Sequence, residues 1–225
     1  MFSQLIELLF PSLCVGCNQT LVGGEFQLCT VCIQNLPETH FHTCNENDLE
    51  KTFWGRIPIE HAFAFLMFKK MGVVQHILHE LKYNNNPELG VMLGNMYGEK
   101  VKQAGLSFDG IIAVPLHPKK QKLRGYNQSD CFAQGLSEAL NSKHLNNVLV
   151  RNTHTETQTK KSRFARWQNV GEVFQVNQPE LIRNKKILLV DDVITTGATI
   201  EACARPLLEH TPHLSIGSIA CVVHQ

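Results

Sequence analysis

Apolar residues recur along the chain in two patterns, short continuous runs and runs that return at every third or fourth position. The continuous runs are typical of buried strands, and the spaced runs are typical of helices with one buried face. The predicted strands span residues 61–68, 109–116, 148–150, 185–193 and 215–223, and the predicted helices span residues 73–83, 89–104, 127–141 and 198–209. Because strands alternate with helices over the last two-thirds of the chain, the sequence predicts an α/β fold with a parallel sheet flanked by helices.

The first 60 residues follow neither pattern for long. Residues 2–10 form an apolar run that lacks a preceding basic segment and contains Glu7, which argues against a signal peptide. We expect a short amphipathic helix there, docked on its neighbour. Residues 33–60 are irregular, so we place a boundary near residue 55, between a small N-terminal module with its linker (1–55) and the α/β domain (56–225).

Composition and charge narrow the class of protein. Hydrophobic residues make up 43% of the 225 residues, which is enough for a core. Charged residues make up only 18%, which argues against long disordered stretches. The formal net charge is +1, so no global field attracts nucleic acid or a membrane, and any basic attraction must be local. No apolar run is long enough to span a bilayer. We therefore expect a cytoplasmic protein without membrane insertion.

Four of the eight cysteines form two C-x2-C pairs, Cys14 with Cys17 and Cys29 with Cys32. Such pairs can place four thiolates tetrahedrally around Zn²⁺, whereas a disulfide framework would be unusual in a cytosolic chain of this size. Nothing suggests an open coordination position, so the spacing predicts one structural zinc ion. The alternative is four free thiols packed in a small core.

Three further residues with metal-binding side chains follow the second cysteine pair closely, namely His40, His42 and Cys44. One of them could replace a cysteine as a zinc ligand. Surface or loop roles are the interpretation that we favour for all three.

The segment "ILLVDDVITTGAT" (187–199) carries the most specific chemistry. Its apolar half predicts a buried strand, and Asp191 and Asp192 follow at the carboxyl end, where ligands bind in open α/β sheets. Carboxylates only accept hydrogen bonds, so they suit sugar hydroxyls or a bound metal. The turn that follows leads into a helix whose first N–H groups can hold a phosphate, and it comprises Thr195, Thr196, Gly197, Ala198 and Thr199. Together these features predict a site for a ribose 5-phosphate.

Two basic clusters accompany this segment. The first contains Lys119, Lys120, Lys122 and Arg124, and the second contains Arg151, Lys160, Lys161, Arg163 and Arg166. The second cluster lies in a stretch (151–171) with almost no apolar periodicity, and long structureless loops in compact domains are often functional. We expect this loop to close over the site as a lid, and we favour the two guanidinium groups of Arg124 and Arg163 as phosphate contacts. Taken singly, each of these cations is more simply explained as a solvated surface side chain, but two clusters flanking a phosphate site favour the functional interpretation.

The whole of residues 187–199 resembles the phosphoribosyl-diphosphate (PRPP) fingerprint of type I phosphoribosyltransferases. The segments "VPLHPKKQKLRGYNQS" (114–129) and "TQTKKSRFARWQNV" (157–170), together with the cysteine pairs, narrow the resemblance to the competence protein F (ComF/GntX-type) family. The resemblance implies a type I phosphoribosyltransferase fold with a small N-terminal zinc-binding module. It also implies PRPP bound with Mg²⁺.

The resemblance also implies roles for individual residues. Asp191 and Asp192 would hold the ribose hydroxyls, and residues 195–199 would hold the 5-phosphate. Leu116, His117 and Lys119 match the pyrophosphate loop. The physics of the transfer also requires cations around the pyrophosphate, and the two basic clusters, including Arg124, Lys160, Arg163 and Arg166, supply them.

Three functions remain open from the sequence. The first is transfer of a phosphoribosyl group to an unknown acceptor with release of pyrophosphate, linked to DNA uptake and natural transformation. The second is a non-catalytic PRPP-sensing module. The third is a protein that holds single-stranded DNA with the zinc module and the loops at 119–124 and 151–166, which the net charge of +1 disfavours. DNA-uptake proteins are further candidate partners. The sequence does not identify the acceptor or the oligomeric state.

Overall fold

The computed structural model describes residues 11–152 and 173–222. The predicted helix over residues 2–10 and the predicted lid cations Lys160, Arg163 and Arg166 lie outside these residues. The strands are β1 (Ala62–Met67), β2 (Gly110–Ala113), β3 (Lys143–His144), β4 (Leu149–Arg151), β5 (Phe174–Val176), β6 (Ile187–Ile194) and β7 (Leu214–Cys221). Five of them form one parallel sheet in the order β1-β7-β6-β2-β3, and β4 and β5 form a separate antiparallel pair.

Helices join these strands. They are α1 (Thr30–Gln34), α2 (Asp48–Lys51), α3 (Val73–Tyr83), α4 (Pro87–Gln103), α5 (Pro118–Arg124), α6 (Gln128–Leu140) and α7 (Ala198–Leu208), with short 3-10 helices at Phe41–Thr43 and Pro179–Leu181. All the helices and strands predicted within the described residues are present, with ends that differ by a few residues. The predicted parallel sheet flanked by helices is therefore confirmed.

Helix α5 lies where the sequence suggested only a basic loop. Pro118 occupies its first turn, and the His117 side chain accepts a hydrogen bond from the Lys119 N–H at 3.2 Å. Gly125 ends the helix with φ = 81°, a value that suits glycine. Of its seven residues none is buried, so the helix has no apolar face that could have revealed it.

The core lies on both faces of the sheet. Leu188 and Val190 of β6 face one layer, which contains α3, α4 and α6, and Ile187 and Leu189 face the other, which contains α7. Because both faces of β6 are covered, four consecutive apolar residues are needed there.

Helices α4 and α6 approach each other closely on the first face. A Cβ atom at Gly135 would lie 2.1 Å from the backbone oxygen of Val91, and one at Gly94 would lie 2.3 Å from the oxygen of Phe132. Only glycine permits this contact, so the backbones of α4 and α6 lie unusually close together.

The N-terminal residues pack on the same core as the domain. Cys14 and Leu28 share one apolar cluster with Phe63 and Phe65 of β1, and Phe53 is buried on the opposite face of the sheet. The division of the chain near residue 55 stays a prediction. Among the described helices, none has the length and apolar character needed to cross a membrane.

Candidate functional site

The candidate site lies at the carboxyl edge of the sheet, where Asp191 and Asp192 belong to the second half of β6. Consecutive side chains of a strand point to opposite faces, so the two carboxylates find different partners. Their placement on neighbouring residues therefore does not force them into contact.

The Asp191 carboxylate is held by hydrogen bonds from neighbouring groups of the site. Its Oδ1 accepts a hydrogen bond from Ser129 Oγ at 3.0 Å and another from the Asp192 N–H at 2.8 Å. Burial raises the pKa of Asp191 to about 7, and the nearby charge of Asp192 adds to this, while the hydrogen bonds and Lys82 act in the opposite direction. Asp191 therefore changes its charge near neutral pH.

Asp192 is paired with a cation from α3. Its Oδ2 lies 3.0 Å from Lys82 Nζ, and its Oδ1 accepts a hydrogen bond from the Val193 N–H at 2.7 Å. Both side chains of the ion pair are largely buried. The positive charge of Lys82 allows two neighbouring acids to occupy one edge of the sheet.

A polar cleft of about 190 Å³ surrounds the aspartates. Three cations besides Lys82 line it, namely Lys120, Arg124 and Arg151, together with Leu116, His117, Gln128, Ser129 and Thr199. Arg124 donates to Gln128 Oε1 at 2.8 Å and lies over the Tyr83 ring at 5.8 Å. The cleft thus combines two acids, four cations and the first turn of α7.

Gln128 adds a donor that is not hydrogen-bonded within the described residues. Its side chain is 1% exposed, and its Nε2 has no hydrogen-bond partner there. Arg124 can only donate, so it keeps the amide oxygen of Gln128 towards itself and the NH₂ group away. The Tyr126 hydroxyl donates to the Leu81 oxygen. Burial raises the pKa of Tyr126, and the Gln128 amide lies near enough to lower it, but Nε2 and that hydroxyl do not meet hydrogen-bond geometry. A buried free donor is costly, which suits a ligand oxygen.

The turn over residues 195–199 begins α7. Gly197 has φ = 73°, and a Cβ atom there would lie 2.7 Å from Phe53. Arg56 donates from Nη1 to the Thr196 oxygen at 2.8 Å and pairs with Glu201 at 2.7 Å. Contacts with Phe53 and Arg56 therefore hold the conformation of this turn.

The structure places the predicted site residues in different parts of this region. Asp191, Asp192, Thr199, Leu116, His117 and Arg124 line the polar cleft. Lys119 is exposed and is not among the lining residues, whereas its neighbour Lys120 is. Thr195 lines a second, apolar pocket on the other side of Asp192. Thr196 and Ala198 are exposed on the turn.

The four cysteines of the predicted zinc site come together. The sulfur atoms of Cys14, Cys17, Cys29 and Cys32 all lie within 4.8 Å of one another. The sulfurs of Cys17 and Cys29 are 3.7 Å apart, and a tetrahedral zinc site with Zn–S bonds of about 2.3 Å places its sulfurs about 3.8 Å apart. The cluster can therefore hold a metal ion such as zinc.

The pKa values of the clustered thiols shift in opposite directions, and burial together with the other three cysteines raises the pKa of Cys32. Burial acts to raise the pKa of Cys14, but backbone hydrogen bonds led by that of Cys29 outweigh it and lower the pKa to about 6. A thiolate is the form that binds metal. His40, His42 and Cys44 lie outside the cluster in the described part of the chain, and His42 packs edge-on against Tyr97.

Sequence reasoning missed Lys82, Ser129 and Arg56. Lys82 comes from a helix that reads as amphipathic, and its charge there is ordinary for a solvent-facing position. Ser129 lies in the first turn of the predicted helix 127–141, where a serine is typical of a helix start. Arg56 contacts Thr196, which lies 140 positions away in the sequence, so no local pattern could reveal this contact.

Comparison with known proteins gives a family and several relatives. The phosphoribosyl transferase domain family matches residues 131–224. "DNA utilization protein YhgH" of Escherichia coli O6:H1 (strain CFT073) is 29% identical over 218 residues, which are 89% of this chain and 92% of that protein. "Competence protein F" of Haemophilus influenzae is 30% identical over 208 residues, or 86% of this chain and 90% of that protein.

A solved structure is similar at lower identity. The glutamine phosphoribosylpyrophosphate amidotransferase from B. subtilis, complexed with ADP and GMP, overlaps 63% of this chain and 30% of its own, with 19% identity and a TM-score of 0.45. This overlap is too loose to equate individual side chains.

Proposed function

The chain belongs to the competence protein F family, and from this premise we propose that it binds PRPP with Mg²⁺ and transfers the phosphoribosyl group to an acceptor, releasing pyrophosphate. The observation that carries the proposal is the polar cleft, which joins Asp191 and Asp192 to the first turn of α7 and to a ring of cations. A sugar with phosphates at both ends needs these three elements side by side.

The proposed roles follow from hydrogen-bonding capacity. Asp191 and Asp192 can only accept hydrogen bonds when ionised, so they hold the ribose hydroxyls. Residues 195–199 present N–H groups at the start of an 11-residue helix and hold the 5-phosphate.

The pyrophosphate lies at the cationic end of the cleft in this proposal. Leu116, His117 and Lys119 were predicted for this role, and Lys120, Arg124 and Arg151 supply cations that line the cleft. Bound Mg²⁺ would neutralise part of the pyrophosphate charge, and the carboxylates of Asp191 and Asp192 are suitable oxygen ligands for it directly or through water. The free Nε2 of Gln128 donates to a ligand oxygen. The predicted lid cations, outside the described residues, stay a prediction.

The chemistry proposed for this cleft is electrostatic. Breaking the C1–O bond of PRPP leaves positive charge on the ribose and negative charge on the pyrophosphate. The aspartates lie on the ribose side, and the arginines and lysines lie on the pyrophosphate side. This distribution of charge stabilises the charge-separated transition state more than the ground state, in which the C1–O bond is intact.

The proposal is tested by thermal unfolding with PRPP and Mg²⁺. We expect the wild-type melting temperature to rise with PRPP concentration, and the Asp191→Asn/Asp192→Asn variant to show no rise. Asp130→Asn is the matched control, because Asp130 pairs with His144 and does not line the polar cleft. A wild-type protein that PRPP does not stabilise would overturn the proposal.

Catalysis and sensing are separated by a second measurement. If the protein is a transferase, pyrophosphate is released when PRPP is supplied with a suitable acceptor. A PRPP-binding protein that releases no pyrophosphate with nucleobases, amines or nucleic acids is a sensor, which was the second function predicted.

Zinc is proposed for the cysteine cluster, as one structural ion per chain. The support is the mutual distance of the four sulfurs and the absence of a fifth metal-binding side chain from that cluster among the described residues. Its role would be to fix the N-terminal residues against the core, since Cys14 belongs to that core.

A role in handling single-stranded DNA is the second candidate function. The exposed lysines of α5 and the Arg124–Tyr83 stack provide cations beside an aromatic ring. The printed names of the relatives refer to competence and DNA utilization. A gel shift that weakens with salt and survives the Asp191→Asn/Asp192→Asn change would support it, and no shift at low salt would exclude it.

A further inference from the structure

A depression of about 340 Å³ is formed by the end of α2 and the segment that leads into β1. It shares no lining residue with the polar cleft or with the apolar pocket at Thr195. We call it the tryptophan pocket, and its lining residues are Glu50, Trp54, Gly55, Ile57, Pro58, Ile59 and Glu60. The proposed transfer reaction uses none of these side chains.

Glu50 places a buried carboxylate in the tryptophan pocket. It is 8% exposed, and no other aspartate, glutamate, lysine or arginine that the structure describes is as buried. Its Oε1 accepts a hydrogen bond from the Ala62 N–H at 3.2 Å, and its Oε2 accepts one from the Glu46 N–H at 2.6 Å. Because each carboxylate oxygen has two lone pairs, both oxygens retain capacity to accept from a ligand.

The charge of Glu50 has no lysine or arginine partner in the described part of the chain. The ring nitrogen near it is His61 Nδ1, which lies 3.5 Å from Oε1. Lys51 and Arg56 are the cations nearest to it in the sequence, and both pair with other acids instead. A buried anion without a permanent cation is costly, and a cationic ligand in the pocket would reduce that cost.

Trp54 adds an aromatic surface to the pocket. Its side chain is 57% exposed, whereas tryptophan is usually largely buried. Ile57, Pro58 and Ile59 add apolar surface beside it. The indole face attracts ammonium and guanidinium groups more strongly than other aromatic rings do. The pocket therefore combines an anion, an aromatic ring and apolar walls.

A metal ion fits these walls poorly. Hard metal ions need several oxygen ligands, and the pocket offers the carboxylates of Glu50 and Glu60. Glu60 lies 2.7 Å from His213 Nδ1 and is already engaged there. Among the described residues, the side chains grouped closely enough to hold a metal do not include these two acids. An organic cation is therefore favoured over an inorganic one.

From these observations we propose that the tryptophan pocket binds a small organic cation, an ammonium or guanidinium group carried on an apolar stem. Glu50 would accept hydrogen bonds from the cation, Trp54 would contact it through the indole face, and Ile57 would contact the stem. A volume of about 340 Å³ lies at the lower end of the range for ligand pockets, which suits a group of this size. A free amine and a lysine or arginine side chain of another protein present the same chemistry. The inference is independent of the proposed transfer reaction.

The test is isothermal titration of the full chain with butylguanidinium and with butylurea, which has nearly the same shape but no charge. We expect butylguanidinium to bind and butylurea not to bind. The Trp167→Phe variant retains Trp54 as its single tryptophan, so a change in its emission during the titration would place the ligand at Trp54.

A third probe distinguishes the two sources of the cation. N-acetylarginine N-methylamide presents the guanidinium group as a protein side chain does. Tighter binding of this probe than of butylguanidinium would assign the site to a protein ligand, and the opposite order would assign it to a free small molecule. Either order supports the proposed site.

Two variants test the two main contacts. Glu50→Gln keeps the shape of the side chain and should weaken butylguanidinium binding about tenfold, the loss expected for a hydrogen bond to a charged group. Trp54→Leu changes an exposed side chain, so it should fold as wild type does, and it should weaken binding about fivefold. Phe26→Leu is the matched control, because Phe26 is 53% exposed and does not line the pocket.

Three results would overturn the inference. They are equal affinity for butylguanidinium and butylurea, a wild type that binds neither guanidinium probe, and a Trp54→Leu variant that binds as tightly as Phe26→Leu. If thermal unfolding shows that Glu50→Gln does not fold, Trp54→Leu decides the question, since it leaves the hydrogen bonds of Glu50 in place.

Discussion

Arg56 donates a hydrogen bond from Nη1 to the backbone oxygen of Thr196 at 2.8 Å. The same guanidinium group contacts the Glu201 carboxylate through Nε and Nη2, at 2.9 and 2.7 Å. Arg56 follows the irregular N-terminal region, whereas Thr196 and Glu201 belong to the turn and helix of the candidate phosphate site. The conformation of that turn therefore depends on a residue far away in sequence.

We predict that Arg56→Lys lowers PRPP affinity about tenfold, because a single ammonium group cannot bond to both Thr196 and Glu201 in this geometry. The cost in stability should be about 1 kcal/mol, since the ion pair is partly exposed. Isothermal titration and urea denaturation measure the two effects. Arg205→Lys is the control, because Arg205 contacts Glu201 but not the turn. Equal loss of affinity in both variants would refute the role of Arg56.

Asp191 should make stability depend on pH near neutrality. Its folded pKa of about 7 lies above the unfolded value of about 3.9, so the folded protein holds this proton more tightly. The resulting destabilisation is absent below the unfolded value, grows with pH and is complete above about pH 7. We expect the free energy of unfolding of wild type to fall between pH 5 and 8 relative to Asp191→Asn. A difference between the two proteins that is constant over this range would contradict the prediction.

Ser129→Ala should change that pH dependence. The Ser129 hydroxyl stabilises the ionised form of Asp191, so its removal should raise the pKa of Asp191 further. We expect about 1 kcal/mol more destabilisation at pH 8 than at pH 5. Ser137→Ala removes another buried hydroxyl from α6, one that donates to the Ala133 oxygen. That variant should lose stability equally at both pH values, and a Ser129→Ala variant that behaves in the same way would refute the prediction.

Loss of one cysteine should remove both metal and stability. We predict about one zinc per chain in wild type by metal analysis, and little in Cys17→Ser. The melting temperature of Cys17→Ser should fall by several degrees, because metal binding and packing of the cysteine region are coupled. Cys44→Ser changes an exposed cysteine outside the cluster and should retain the metal. Metal retained in Cys17→Ser would exclude the four-cysteine site.

Gly135→Ala tests the close contact of α4 with α6. The added Cβ would lie 2.1 Å from the Val91 oxygen and 2.7 Å from the Asn95 nitrogen, both backbone atoms that cannot move alone. We expect a loss of about 3 kcal/mol in urea denaturation. Gly23→Ala has open space around its Cβ position and should be nearly neutral. A Gly135→Ala variant as stable as Gly23→Ala would show that the helices can separate without cost.

The sequence predicted the features that depend on local pattern. The strand and turn of residues 187–199 are visible because apolar run, acids and small residues are consecutive. The four cysteines are visible because ligand pairs recur at short spacing. Both predictions concern sites whose functional residues lie close together in the sequence.

Features built by distant residues were not predictable in this way. Lys82 reaches Asp192 only because α3 crosses the edge of the sheet, and Arg151 reaches the cleft only because β4 lies beside it. The orientation of α5, which places Lys120 and not Lys119 in the lining, follows from the turn set by Pro118 and Gly125. A basic cluster in sequence does not indicate which of its members faces a ligand.

The position of β6 between β7 and β2 has a consequence for how the protein opens. Its backbone is paired on both sides over Ile187–Val190, and both of its faces are covered. Amides in such a strand exchange with deuterium only when the molecule unfolds as a whole. The two aspartates are anchored to this strand, so partial opening at the surface leaves them in register. The backbone that positions the two carboxylates is therefore among the last parts of the molecule to open.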